Sequence, residues 1–145
     1  MSLFSALSVS ASGMSAQRTR AELLVENLAN AETTRTPEGG PYRRKDAVFA
    51  SENVSSPFSS VFQSEIGASG TGVAVSDVIQ DTRPPEMRYL PGHPDADANG
   101  YVAMPRVNPA EDMVDLLGAS RGYQANVSAI AAVKDMITRS IDLLR

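Results

Sequence analysis

Cysteine is absent, which excludes disulfide frameworks, Cys-ligated zinc and thiol catalysis. The absence says nothing of compartment, because a cysteine-free chain survives in oxidising and reducing surroundings alike. Tryptophan is missing too, and aromatics make up only 6% of the 145 residues, so Ala, Ser and Val carry much of the apolar load. Such small side chains gain less from burial than Leu or Phe do. Positive charge is also short. Thirteen Lys and Arg face 17 Asp and Glu, for a formal charge of −4, the wrong sign for a dedicated nucleic-acid binder. No apolar run approaches the ~20 residues needed to cross a bilayer, so no direct membrane span is expected. No secretory signal is expected either. The first basic residue is Arg18, and Ser and Gly interrupt the stretch before it. Export would require a route without a cleaved peptide.

What is present falls into three zones: 1–33, 34–107 and 108–145. In the first, alternate steps of four and three give Leu3, Leu7, Ser10, Met14, Gln17, Ala21, Leu24 and Leu28, the narrow apolar seam of a bundled helix. No proline occurs before Pro37, and Asn30 with Thr33 and Thr34 makes a stop. The middle zone holds most of the proline and glycine. Val73 and Val75 alternate at period two and Gly100-Tyr-Val-Ala-Met follows a turn-rich stretch, so two short strands are expected there. Ser51–Gly72 reads as a Ser- and Gly-rich loop. The third zone opens on Asn108-Pro-Ala-Glu111, a cap, a first-turn proline and an acid where a helix begins. Its seam reads Met113, Leu116, Ser120, Tyr123, Val127, Ile130, Lys134, Ile137, Ile141 and Leu144, with Ser120 and Lys134 as interruptions. Gly118, Gly122, Ala125, Ala129 and Ala132 form a second, small-residue side suited to close helix packing.

The expected fold is α+β: long N- and C-terminal helices in an elongated antiparallel, coiled-coil-like hairpin, with a small β- and loop-rich middle. About 30 helical residues span roughly 45 Å, against a diameter near 40 Å for a compact globule of this length. Two such helices cannot both be enclosed by one small core. Burying the apolar seam of the first gains on the order of 10 kcal/mol, whereas fixing 30 backbone residues costs roughly 1–2 kcal/mol each. The ends are therefore expected to order fully only against partners.

Asn27-Leu-Ala-Asn-Ala-Glu-Thr33, at the end of the first helix, resembles the signature of the bacterial flagellar axial proteins, the rod, hook and hook-associated subunits. Gly40-Pro-Tyr-Arg-Arg-Lys45, Tyr89-Leu-Pro-Gly-His-Pro-Asp-Ala-Asp97 with Gly100-Tyr-Val102, and Ser120-Arg-Gly-Tyr-Gln-Ala-Asn126 narrow the resemblance to the proximal rod of the basal body. It covers nearly the whole chain and is weakest across Ser51–Gly72. One departure is Arg106, where the family more often has Asn after the proline; it puts a local turn contact in doubt. The resemblance implies a structural subunit, exported unfolded by the flagellar type III apparatus. Such a subunit assembles with copies of itself and other rod proteins into the torque-carrying shaft that crosses the periplasm, its terminal helices paired in the inner tube.

The residues expected at that subunit interface are Leu3, Leu7, Met14, Leu24, Leu28, Met113, Leu116, Tyr123, Val127, Ile130, Ile137, Ile141 and Leu144. Asn27 and Asn30 should shape the helix exit, Tyr123 and Asn126 should lock helix to helix, and Arg43 and Arg44 should clamp carboxylates of a neighbour.

Chemistry of other kinds fares poorly. Asp95-Ala-Asp97-Ala-Asn99-Gly100 copies the opening of a calcium loop, but Arg106 stands where the bidentate Glu belongs and two prolines forbid the preceding helix. His93 lacks a nucleophile elbow, and Gly67-Ala-Ser-Gly-Thr-Gly72 has no following Lys-Ser/Thr pair. No catalysis, cofactor, metal, nucleic acid or small-molecule substrate is therefore expected. A small hydrolase or metal-dependent enzyme in the middle zone is the competing class. A helical adaptor that binds unlike partners without polymerising is the closer alternative.

Overall fold

The computed structural model describes residues 3–53 and 71–143. Helix α1 spans Leu3–Ala29 and helix α2 spans Pro109–Asp142, giving lengths of about 40 and 50 Å. Between them lie β1 (Lys45–Asn53), β2 (Thr71–Gln80), β3 (Glu86–Tyr89) and β4 (Tyr101–Met104). The architecture is α+β with terminal helices.

α1 is built from residues of modest helix propensity, and its own side chains help it. Ser8, Ser12 and Thr19 donate their hydroxyls to carbonyls one turn back, at 2.9, 2.7 and 3.2 Å. Arg18 and Glu22 pair across one turn at 2.8 Å. α2 starts as its sequence dictates: Asn108 accepts the Ala110 amide at 3.2 Å and Pro109 takes the first turn. Glu111 and Asp112 then place negative charge at the positive end of the helix dipole.

The two helices lie side by side and antiparallel. Gly13 faces Asn126, Gln17 faces Gly122, and Arg20 reaches Asp115 at 3.4 Å. Among the described elements, α2 packs on α1 alone, so its least exposed residues mark the contact face. These are Asp112, Leu116, Ala119, Gly122, Asn126, Ile130, Val133 and Ile137.

β1 and β2 form an antiparallel hairpin running from Lys45↔Gln80 to Asn53↔Thr71, and it packs on α1. The register shifts between Val48 and Phe49, which leaves Ser76 as the extra residue of a bulge. The hairpin is tied to α1 where the Val73 amide donates to the Ser12 hydroxyl at 3.1 Å. β3 and β4 form a second hairpin, with Tyr89 and Tyr101 ring edge to ring face at 5.3 Å. Gly100 closes it at φ 82°, and a methyl group there would sit 2.9 Å from the Tyr89 ring.

The expected strands at Val73–Val75 and Tyr101–Met104 are present, the first inside the longer β2. β1 and β3 are additions the sequence pattern did not suggest. The Ser51–Gly72 loop needs correction at its ends, because Ser51–Asn53 and Thr71–Gly72 belong to the β1–β2 ladder. Residues 54–70 lie outside the described residues. The apolar core among the described residues is thin: Ala16, Leu24, Tyr42, Val102, Met104, Ala119 and Val133.

Candidate assembly interface

The Asn27 signature and the Tyr42–Lys45 stretch meet in one joint. Asn27 is completely buried. Its amide nitrogen donates to the Lys45 carbonyl at 2.9 Å, and its amide oxygen accepts the Lys45 N–H and the Tyr42 hydroxyl, each at 2.9 Å. One side chain thus stitches the end of α1 to the first residue of β1. Burial, and then the charges of Glu26, Asp112 and Asp46, push the Tyr42 hydroxyl up to about 12, so it stays a donor. Asn30 completes the exit, donating to the Glu26 carbonyl at 2.9 Å and accepting the Thr33 hydroxyl at 3.2 Å. The Tyr42 amide returns to the Thr33 carbonyl at 3.0 Å. Asn27 and Asn30 therefore do shape the helix exit.

Arg44 and Asp112 bring the start of α2 to the same joint. Asp112 is completely buried, with an Arg44 nitrogen 3.0 Å from its carboxylate, yet neither carboxylate oxygen has an aligned hydrogen bond among the described residues. Burial raises the Asp112 carboxyl above its ordinary value, and the Arg44 charge only partly opposes this. Arg44 also meets Asp46 at 3.2 Å and is 17% exposed, so it is committed to its own chain. Arg43 remains exposed, giving one hydrogen bond to the Asp81 carbonyl at 3.3 Å. Lys45 pairs with Glu26 at 2.5 Å.

The remaining expected interface residues separate into two sets. Leu24 is buried, and Leu7, Met14, Leu28, Leu116, Asn126, Ile130 and Ile137 are half-buried. Leu3, Met113, Tyr123, Val127 and Ile141 are 39, 47, 38, 43 and 60% exposed. Leu144 lies outside the described residues. The seam expected on α2 thus overlaps the face that meets α1 only in part, at Leu116, Ile130 and Ile137. Its apparent interruptions, Ser120 and Lys134, disappear once the contact is read one position earlier, at the buried Ala119 and Val133. Met113, Tyr123, Val127 and Ile141, with Leu117 at 55% exposure, form an open apolar flank beside the contact. Within the chain, the small-residue side meets α1 only at Gly122. Gly118 has open space around it, and Ala125, Ala129 and Ala132 are exposed. Asn126 packs against α1, its amide nitrogen 3.0 Å from where a Gly13 methyl would stand, and donates its hydrogen bond to the Gly122 carbonyl of its own helix.

Residues that pattern alone missed are Tyr42, Asp112, Ala119 and Val133. Tyr42 stood inside a quoted motif, whereas nothing marks a first-turn Asp as buried. The turn carboxylates serve the backbone: Asp97 accepts the Asn99 and Tyr101 amides at 2.8 Å each, and Asp95 accepts the Thr34 hydroxyl at 2.8 Å. His93 accepts the Asp95 amide at 3.1 Å. Among the described residues no cluster of three His, Asp or Glu is placed to hold a metal, and no helix is long and apolar enough to cross a membrane.

The chain carries long helices at both ends, with an Asn-rich exit from the first and open apolar surface along the second. The family described as flagellar basal body rod FlgEFG protein C-terminal matches residues 98–143, which hold β4 and α2. Relatives match end to end. The flagellar basal-body rod protein FlgC of Borreliella burgdorferi is 40% identical over 152 residues, covering 100% of this chain and 99% of the relative. Those of Bacillus subtilis and Escherichia coli O6:H1 are 41 and 39% identical, covering 99% of this chain and 99 and 98% of theirs. The chain belongs to the FlgC family of flagellar basal-body rod proteins. It is a structural component of the flagellar basal-body rod and not an enzyme, which removes the hydrolase reading.

Proposed function

We propose that this subunit assembles through its terminal helices, which pair as a coiled-coil-like hairpin and bury their remaining apolar surface against copies of itself and other rod proteins. The observation that carries the proposal is the open flank of α2. Met113, Leu117, Tyr123, Val127 and Ile141 lie exposed along a 34-residue helix, beside the face already occupied by α1. Several exposed apolar residues along one helix face, next to a thin internal core, mark a surface meant for burial elsewhere. Leu3 on α1, also exposed, extends the same interface. Arg43 is free to meet carboxylates of a neighbour, while Arg44 organises the joint from within.

In this reading the chain leaves the cytoplasm through the flagellar type III export apparatus as an unfolded polypeptide. It folds onto the proximal rod and transmits torque across the periplasm. The marginal energetics of the isolated helices support export before folding. Deletion from Ile137 onward removes the last turns of α2. It is expected to abolish rod assembly and swimming while the truncated chain is still synthesised. Normal swimming by such cells would refute the axial role of the helices.

A further inference from the structure

Three separated stretches converge on a shallow cleft beside the joint: residues 39–44, 81–85 and 105–106. Pro85 and Pro105 stiffen its wall. Four arginines and one aspartate line it, and their internal pairing is unequal. Asp81 is consumed by Arg83, which grips both of its oxygens at 2.6–2.9 Å. Arg44 is consumed by Asp46 and Asp112. Arg43 gives one long hydrogen bond to the Asp81 backbone carbonyl, and the Arg106 charge acts on Asp81 without a hydrogen bond or ion pair among the described residues. Two exposed arginines therefore share one cleft whose single carboxylate is already held by Arg83, on a chain whose net charge is −4.

We propose that the cleft between Arg43 and Arg106 is a docking site for carboxylate side chains of an acidic segment on a neighbouring protein subunit. The choice of a protein partner rests on the rod-subunit reading. Guanidinium matches carboxylate in a planar two-bond geometry that a lysine cannot copy. Acidic side chains outnumber basic ones 17 to 13 in this chain, so carboxylate is the anion a second copy offers in quantity. Arg83, clamped by Asp81, fixes the floor of the cleft and does not compete for the incoming group.

The full-length chain would be titrated against a fluorescent glutamate peptide of about ten residues at low ionic strength, where exposed ion pairs are strongest. Binding would be read by anisotropy, alongside the matching glutamine peptide and a polyphosphate of similar length. Saturable binding of the glutamate peptide alone is expected. Arg43→Ser or Arg106→Asn should each weaken it about threefold and the double variant about tenfold. Arg43→Lys with Arg106→Lys, which keeps the charge, should recover only part of the loss. Absence of saturable binding, or equal binding by the double variant with an unchanged circular dichroism spectrum, would overturn the site. Tighter binding of polyphosphate than of the glutamate peptide would overturn the carboxylate assignment. Neither result bears on whether the helices assemble, which the Ile137 truncation decides.

Discussion

The joint around Asn27 and the open flank of α2 use opposite chemistry. At the joint, a completely buried amide donates one hydrogen bond to the Lys45 backbone and accepts two, from the Lys45 amide and the Tyr42 hydroxyl. Along the flank, Met113, Leu117, Tyr123, Val127 and Ile141 leave apolar surface in water. A directional polar network defines one geometry and tolerates no missing partner. Apolar surface is non-directional and gains only when something covers it. The joint ties the helix to the hairpin within one subunit, and in the proposed assembly the flank supplies the driving force between subunits. Damage to the two should separate stability from assembly.

The largest effect is expected on the flank. Val127→Asp should leave the unfolding free energy of the isolated chain within about 0.5 kcal/mol, as exposed substitutions usually do. It should nevertheless prevent incorporation into basal bodies, read by fractionation and swimming. Asn27→Ala reverses the pattern. It strands the Lys45 amide and carbonyl and the Tyr42 hydroxyl inside the joint, which should cost about 2–4 kcal/mol in urea unfolding. A smaller, local effect is expected at Gly100, whose φ of 82° places any methyl 2.9 Å from the Tyr89 ring. Gly100→Ala should cost about 1–2 kcal/mol. Its readout is faster hydrogen exchange of the Leu90 and Tyr101 amides, with α1 unaffected.

The smallest effect concerns pH. Burial raises the folded-state pKa of Asp112 above 3.8, so the folded chain holds that proton more tightly than the unfolded chain does. The contribution to stability is fully present below pH 3.8 and is lost as pH rises through the folded value. Asp112→Asn removes this titration. Its stability should fall less than the parent's as pH is raised from about 4 toward neutrality, measured by urea midpoints across that range.

Much of this contrast was legible in the sequence. The period of the apolar residues gave both helices, and Asn108-Pro-Ala-Glu111 marked the start of α2. The Asn27 motif pointed to the exit it forms. The rotational register of α2 was not legible. Bulky Met113 and Val127 drew the seam toward themselves, whereas the real contact takes a small Ala119 and a buried Asp112. No local pattern shows that a carboxylate will be buried by an arginine 68 positions away (Arg44 to Asp112). β1 was hidden because its apolar residues, Ala47 to Ala50, run consecutively and do not alternate. β3 was hidden because all four of its residues are exposed, so only pairing with β4 makes it a strand.

The absence of cysteine allows the central claim to be tested with a single introduced thiol. Val127→Cys, carrying a photoactivatable cross-linker, would be irradiated in intact basal bodies and its adducts identified by mass spectrometry. Covalent adducts between position 127 and another rod subunit are what the open flank predicts. Incorporation of the labelled chain without any subunit adduct from that position would mean that assembly uses a different surface, and the division between joint and flank would fail.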